Sequence, residues 1–219
     1  MAITKVIIVE DHPLFSKGLT SLIISQAPYL VVGEARDIAS AVELAKAKKP
    51  DLAIIDLNLG NEDGMTLIRQ FRQDYPDIKI LVLSMHDERY YVERVLQAGA
   101  RGYIMKEEAG DKVIDAIKTV MSDKIYLSST EQERLFTFLQ REKEKQDTID
   151  TYTTLLRKLT DRQLQIFSLI GKGLGSIEIA DKLSLSRKTV DAHKENIKDK
   201  LHCDSSQELR QMAIEWNNH

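Results

Sequence analysis

Five side chains in the first half of the chain have the types that phosphoryl chemistry needs, and each follows an apolar run. Glu10 and Asp11 come after Lys5-Val6-Ile7-Ile8-Val9, Asp56 after Leu52-Ala53-Ile54-Ile55, Ser84 after Ile78-Lys79-Ile80-Leu81-Val82-Leu83, and Lys106 after Gly102-Tyr103-Ile104-Met105. An apolar run this short, stopped by a turn signal, reads as a fully buried strand. If the strands are parallel, all of these residues stand on one edge of the sheet, where open α/β folds form their ligand crevice. Three carboxylates drawn together there need a cation, and oxygen ligands suit a hard ion such as Mg2+. Glu10, Asp11 and Asp56 supply carboxylates, and the chain just past Asp56, at Asn58, supplies a backbone carbonyl. One Asp56 oxygen can then attack a phosphoryl group to give an aspartyl phosphate. Lys106 neutralises the phosphoryl oxygens and the Ser84 hydroxyl hydrogen-bonds them. Taken singly, an acid after a strand is an ordinary turn former or helix cap. Suitable groups at the ends of four strands favour a shared site over four coincidences.

The elements that must position these groups alternate. Pro13 opens a helical segment with Leu14, Leu19, Leu22 and Ile23, and Leu30-Val31-Val32 is a short second strand. Ile38 to Lys48 has a helical period closed by Pro50, and Gly64 to Phe71 carries Met65, Leu67, Ile68 and Phe71. Val92, Val95, Leu96 and Ala98 mark a fourth helix, and Val113, Ile114, Ile117, Val120 and Met121 a fifth. Strict β-α alternation predicts a parallel sheet with helices on both faces, of the flavodoxin-like α/β class with strand order 2-1-3-4-5. In that order strands one and three are neighbours, which brings Glu10 and Asp11 beside Asp56.

After Leu127 the strands stop. Ser128-Ser129-Thr130 could cap a helix with Leu135, Phe136, Phe138 and Leu139, and Arg141 to Gln146 is a charged run. The reading is a first domain over 1–128, a helical, charged linker over 129–154 and a small all-α domain over 155–219. Thr160-Asp161-Arg162-Gln163 fits a capping box ahead of an apolar helix ended by Gly171 and Gly173. Ser176 to Leu183, then Ser184-Leu185-Ser186, then Arg187 to Leu201 make a helix-turn-helix, and Ser205 to Asn217 a last helix.

At 219 residues the chain can bury two cores, and a formal charge of −3 gives no global signal for nucleic acid or membrane. The amino terminus has neither a signal peptide nor a membrane span, so the expectation is a cytoplasmic protein with no membrane partner. Cys203, the single cysteine, has no partner at metal-ligand spacing and reads as a small apolar side chain.

Glu10-Asp11, Asp56, Ser84-Met85-His86-Asp87, Gly99-Ala100 with Gly102-Tyr103, and Lys106 together resemble the receiver domain of bacterial two-component response regulators, over roughly residues 3 to 122. The resemblance implies that Asp56 accepts a phosphoryl group from a histidine kinase and that Ser84 and Tyr103 form the switch pair that reports it. This chain departs from the pattern at Gly60, where a proline is usual, and at Glu107, where many receivers also have a proline. Gly60 is expected to loosen the turn after Asp56. Tyr103 as plain packing and His86 as a loop histidine without a role stand as the simpler alternatives.

Residues 159 to 202, through Ile179-Ala180, Leu185-Ser186, Thr189-Val190, His193 and Lys200-Leu201, resemble the LuxR-type helix-turn-helix of NarL/FixJ response regulators. In the helix from Arg187, Val190, Ile197 and Leu201 share the buried face, and a recognition helix presents the opposite face to the major groove. Arg187, Lys188, Thr189, Asp191, Ala192, His193, Lys194, Glu195 and Lys198 are the candidate contacts to double-stranded DNA. Between Ser186 and Leu201 five bases (Arg187, Lys188, Lys194, Lys198, Lys200) face three acids (Asp191, Glu195, Asp199), a net of +2. Leu209, Met212, Ala213 and Trp216 follow helical spacing, as core packing or as a dimer contact.

These features predict a transcriptional regulator, not an enzyme, whose phosphorylation at Asp56 changes homodimerisation and exposure of the helix-turn-helix. A receiver-controlled protein-interaction module that does not read DNA is the alternative from another class, and the acids on the outward face keep it open. A Mg2+ hydrolase of similar topology is a third, disfavoured by the helical tail.

Overall fold

Runs of valine, isoleucine and leucine with few polar residues are stable only when covered on both faces, and the first half of the chain meets that need with one sheet between two helical layers. The computed structural model describes residues 3–26, 28–60, 62–85, 89–128, 132–133, 156 and 158–217. The chain divides into two compact units, Met1–Gln140 and Arg141–His219.

In the first unit β1 (Thr4–Val9), α1 (Pro13–Ile24), β2 (Tyr29–Ala35), α2 (Ile38–Lys48) and β3 (Leu52–Asp56) follow in turn. A two-strand hairpin comes next, β4 (Asn58–Leu59) and β5 (Glu62–Asp63), then α3 (Gly64–Asp74), β6 (Lys79–Ser84), α4 (Arg89–Ala98), β7 (Gly102–Met105), a 3-10 turn over Lys106–Glu108 and α5 (Ala109–Met121). The sheet order is β2-β1-β3-β6-β7, all parallel, which is the expected 2-1-3-4-5 arrangement once the small hairpin is set aside. Because side chains alternate across a sheet, Val6, Ile8, Ile54, Leu81, Leu83 and Ile104 point to one face. There they pack with Leu19, Ile23, Val113, Ile117 and Val120 of α1 and α5. Ile7, Val9, Ala53 and Ile55 are equally buried on the other face. Burying each such side chain stabilises the fold by about 1.5–3 kcal/mol.

Helix starts follow local chemistry. Asp37 caps α2 by accepting the Ser40 amide at 2.7 Å, and Asp63 caps α3 by accepting the Met65 amide at 3.0 Å. Gly60 sits at φ 60°, a left-handed conformation that proline cannot take. It closes the β4–β5 hairpin, in which Asn58 pairs Asp63 and Leu59 pairs Glu62. The expectation of a loosened turn is therefore corrected: the chain is paired on both sides of Gly60, with the glycine in a conformation closed to proline. The linker expected over 129–154, with its Leu135, Phe136, Phe138 and Leu139 helix, lies outside the described residues apart from Gln132 and Glu133. His86 lies outside them too.

The second unit contains α6 (Asp161–Gly171), α7 (Ser176–Lys182), α8 (Arg187–Leu201) and α9 (Ser206–Asn217), with no strand among the described residues. The capping box is present: Thr160 accepts the Gln163 amide at 3.3 Å and Gln163 Oε1 accepts the Thr160 amide at 3.0 Å. Leu209 and Ala213 of α9 are buried, and Trp216 meets the Phe167 ring of α6 at 5.4 Å between centroids. Core packing is thus what this stripe does within the chain. A β-carbon on Gly171 would collide with the Ala213 carbonyl oxygen, so glycine lets α6 and α9 approach. Cys203 is buried, 4.0 Å from the Met212 sulfur.

Candidate functional site

Glu10 leaves β1 at its carboxyl end, where its amide donates to the Ala35 carbonyl at 2.9 Å, and its side chain is buried. Asp56 ends β3 beside it, also buried, and Lys106 arrives from β7. The Lys106 ammonium is 2.7 Å from Glu10 Oε2 and 2.7 Å from Asp56 Oδ2. It lies 4.9 Å from the centre of the Phe15 ring, a cation–π contact from the first turn of α1. The other Asp56 oxygen, Oδ1, accepts the Asn58 amide at 3.1 Å. Ligand atoms of Glu10, Asp11, His12 and Asp56 lie within 4.8 Å of one another.

Two buried carboxylates thus share one ammonium. Burial, opposed by Lys106 and reinforced by Glu10, pushes the Asp56 carboxyl up to about 7. Burial works against the Lys106 charge too, but Asp56 and Glu10 outweigh it and hold the ammonium above the usual lysine range. The arrangement is short of positive charge and offers hard oxygen donors, so its residues fit a divalent cation of the Mg2+ kind.

Ser84 and Tyr103 are fully buried on adjacent strands. Asp56 pairs with Leu83 in register, so Ser84 stands one residue further along the same edge. Two contributors were not singled out from the sequence. His12 stands directly before α1 without a side-chain capping bond, and its Nδ1 reaches Asp11 Oδ1 at 2.9 Å and Glu10 Oε1 at 3.1 Å; its place directly after two acids was the available signal. Gly64 donates its amide to the Leu57 carbonyl at 2.9 Å, and a β-carbon there would collide with the Asp56 carbonyl oxygen.

In the second unit α7 and α8 are joined through Ser184, at φ 53°, and Ser186 caps α8 by accepting the Thr189 amide at 3.0 Å. The Thr189 hydroxyl is engaged with Ser186 at 2.7 Å. Val190, Ile197 and Leu201 are the buried residues of α8. Arg187, Lys188, Ala192 and Glu195 are exposed, and Asp191, His193, Lys194 and Lys198 partly so. The bases are mostly engaged: Arg187 with Asp191 at 3.5 Å, Lys198 with Glu195 at 2.8 Å, Lys194 with the Ser176 hydroxyl at 3.2 Å. Lys200 turns inward to Gln163 Oε1 at 2.7 Å and the Lys158 carbonyl at 3.0 Å. Burial, with the Arg162 charge nearby, holds the His193 imidazole below the usual histidine range.

A parallel five-stranded sheet with acids and a lysine at its carboxyl edge, followed by a helix-turn-helix, defines a two-domain regulator of the receiver type. Residues 6–118 match the response regulator receiver domain and residues 157–213 the luxR family of bacterial regulatory proteins. The chain belongs to the response regulators with a LuxR-family carboxyl-terminal domain. It is 34% identical to the oxygen regulatory protein NreC of Staphylococcus epidermidis over 214 residues, 96% of each chain. It is 32% identical to the transcriptional regulatory protein DegU of Brevibacillus brevis over 205 residues, 90% of this chain and 87% of that one. A LuxR-family two-component response regulator from Aurantimonas has TM-score 0.61 at 27% identity, over 64% of this chain and 99% of its own. RcsB of Salmonella enterica serovar Typhimurium, solved bound to promoter rprA with the phosphomimetic BeF3-, shares the fold at TM-score 0.61 and 22% identity over 97% of this chain and 99% of its own. No helix among the described residues is long and apolar enough to cross a membrane.

Proposed function

We propose that this chain is a cytoplasmic, DNA-binding transcriptional regulator switched by phosphorylation of Asp56 from a partner histidine kinase. The observation that carries the reading is the buried Asp56 carboxylate, 2.7 Å from Lys106 and grouped with Glu10 and Asp11, in a chain that also holds a helix-turn-helix. Glu10, Asp11, Asp56 and the Asn58 carbonyl would hold Mg2+. When bound, that ion supplies the positive charge that lets anionic nucleophile and anionic phosphoryl group meet. An Asp56 oxygen attacks phosphorus in line; the new P–O bond forms as the P–N bond of the donor phosphohistidine breaks. Lys106 turns from Asp56 to the phosphoryl oxygens, and the Ser84 hydroxyl donates to them. Movement of Ser84 and Tyr103 then alters the receiver surface, and with it homodimerisation and the availability of α8 to DNA.

Intact-mass spectrometry with a small phosphodonor tests the site. One phosphoryl adduct should form with Mg2+ and be absent in EDTA and in Asp56→Ala; an adduct that persists in either sinks the assignment. The paired charges on α8 favour a second reading, a protein-interaction module that leaves DNA alone, and a gel shift with genomic fragments separates the two.

A further inference from the structure

Five bases lie on α8, and four of them are engaged before any nucleic acid arrives. Lys194 and Lys200 are tied to polar groups of the same unit. Arg187 and Lys198 are tied to acids of α8 itself, Asp191 one turn on and Glu195 one turn back. These acids stand on the exposed side: the Arg187 and Asp191 side chains are 69% and 49% exposed, and Glu195 65%. Lys198 donates a hydrogen bond to Glu195 at 2.8 Å, which holds its ammonium above the usual lysine range. Among the described residues Lys188 alone of the five has no such partner.

We propose that Asp191 and Glu195 are specificity-determining counter-ions of the DNA-facing helix, holding Arg187 and Lys198 so that the face is nearly neutral towards arbitrary DNA. The inference rests on the reading that α8 enters the major groove. Non-specific binding is almost wholly phosphate neutralisation, so each base withheld by an internal acid removes one phosphate contact and about 0.9 from the log–log salt slope. Exposed ion pairs are weak. They can be exchanged when a cognate duplex supplies phosphates and base edges in the right register, but a random duplex gains too little from the exchange. The acids therefore act by lowering the background against which the cognate site is read. A direct contact of a carboxylate with cytosine N4 is the competing role. It predicts the opposite pattern, lost cognate affinity with an unchanged background.

The test uses the full chain, with fluorescence anisotropy on a mixed-sequence duplex and on a duplex selected from a randomised library by the wild-type protein, each across a salt series. Asp191→Asn and Glu195→Gln keep shape and remove the counter-ion. Each should tighten binding to the mixed-sequence duplex by roughly 3- to 10-fold at low salt and steepen its salt slope by about 0.9, with a smaller gain on the selected duplex. Asp199→Asn makes the same change in net charge on the same helix at an exposed acid that acts on Lys198 only through its charge, without the hydrogen bond that Glu195 accepts, and should change binding less than either. Lys188→Ala should weaken binding to both duplexes. If Asp191→Asn does no more than Asp199→Asn, or weakens only the selected duplex, while Lys188→Ala still weakens both, the counter-ion role is overturned and the DNA face stands. If Lys188→Ala and every acid variant leave binding unchanged, α8 does not face DNA, and the functional reading falls together with this one.

Discussion

Replacing Asp56 by asparagine should stabilise the metal-free protein, by an amount that grows with pH. In the folded chain the Asp56 carboxyl titrates at about 7, against 3.8 for an ordinary aspartate, a gap of about 3 units. At about 1.4 kcal/mol per unit, burying the ionised group costs up to about 4 kcal/mol above pH 7. Asparagine avoids that cost, which is already net of the favourable charge and hydrogen bond of Lys106. The gain then approaches about 4 kcal/mol near pH 8, or roughly 12 °C at about 3 °C per kcal/mol. Between the two pKa values the folded protein keeps a proton that the unfolded chain has lost, so wild-type stability falls as pH rises from about 4 to about 7. An asparagine amide does not titrate, so the advantage of Asp56→Asn over wild type should be small near pH 4, grow to pH 7 and then level off. Differential scanning calorimetry in EDTA at several pH values measures it, and saturating Mg2+, which favours the carboxylate, should shrink it. An advantage that is flat across this range, or that declines as pH rises, refutes the claim that burial destabilises the Asp56 charge.

Three further perturbations follow from contacts already described. Gly64→Ala drives a β-carbon into the Asp56 carbonyl, so phosphorylation by a small donor should slow by at least about 10-fold, read as the rate of adduct growth by mass spectrometry. Lys106→Ala removes the cation shared by Glu10 and Asp56 but not the nucleophile. Asp56 should still take a phosphoryl group, whereas light scattering should find that phosphodonor no longer changes the dimer fraction. Gly171→Ala forces α6 away from α9 and should destabilise the second unit by about 1–3 kcal/mol, seen as an earlier melting step with phosphorylation intact.

The receiver half was legible because its information is local and one-dimensional: Leu52 to Ile55 is apolar without a break, Asp56 stops it, and the same grammar repeats at Val9, Leu83 and Met105. Parallel pairing then carries the acids to one edge without further assumptions. Gly60 was visible as a departure, but its consequence was not, because whether a glycine slackens a turn or enables a tighter one depends on the sign of φ. His12 was missed because its reach to Asp11 and Glu10 depends on a side-chain rotation. The charge count over α8, a net of +2, was correct as arithmetic and incomplete as electrostatics. Lys200 spends its charge on Gln163 and Lys158, about forty positions away, and such partners are set by packing that no local pattern encodes.

The central claim is that the state of Asp56 governs what α8 does, and DNA binding by the full chain tests it most directly. Anisotropy titrations on the selected duplex, with Mg2+ and with or without a small phosphodonor, should show phosphodonor-dependent tightening in the wild type and none in Asp56→Ala. Equal affinity with and without phosphodonor in a wild-type sample that mass spectrometry finds phosphorylated, or equal tightening in Asp56→Ala, would contradict the account.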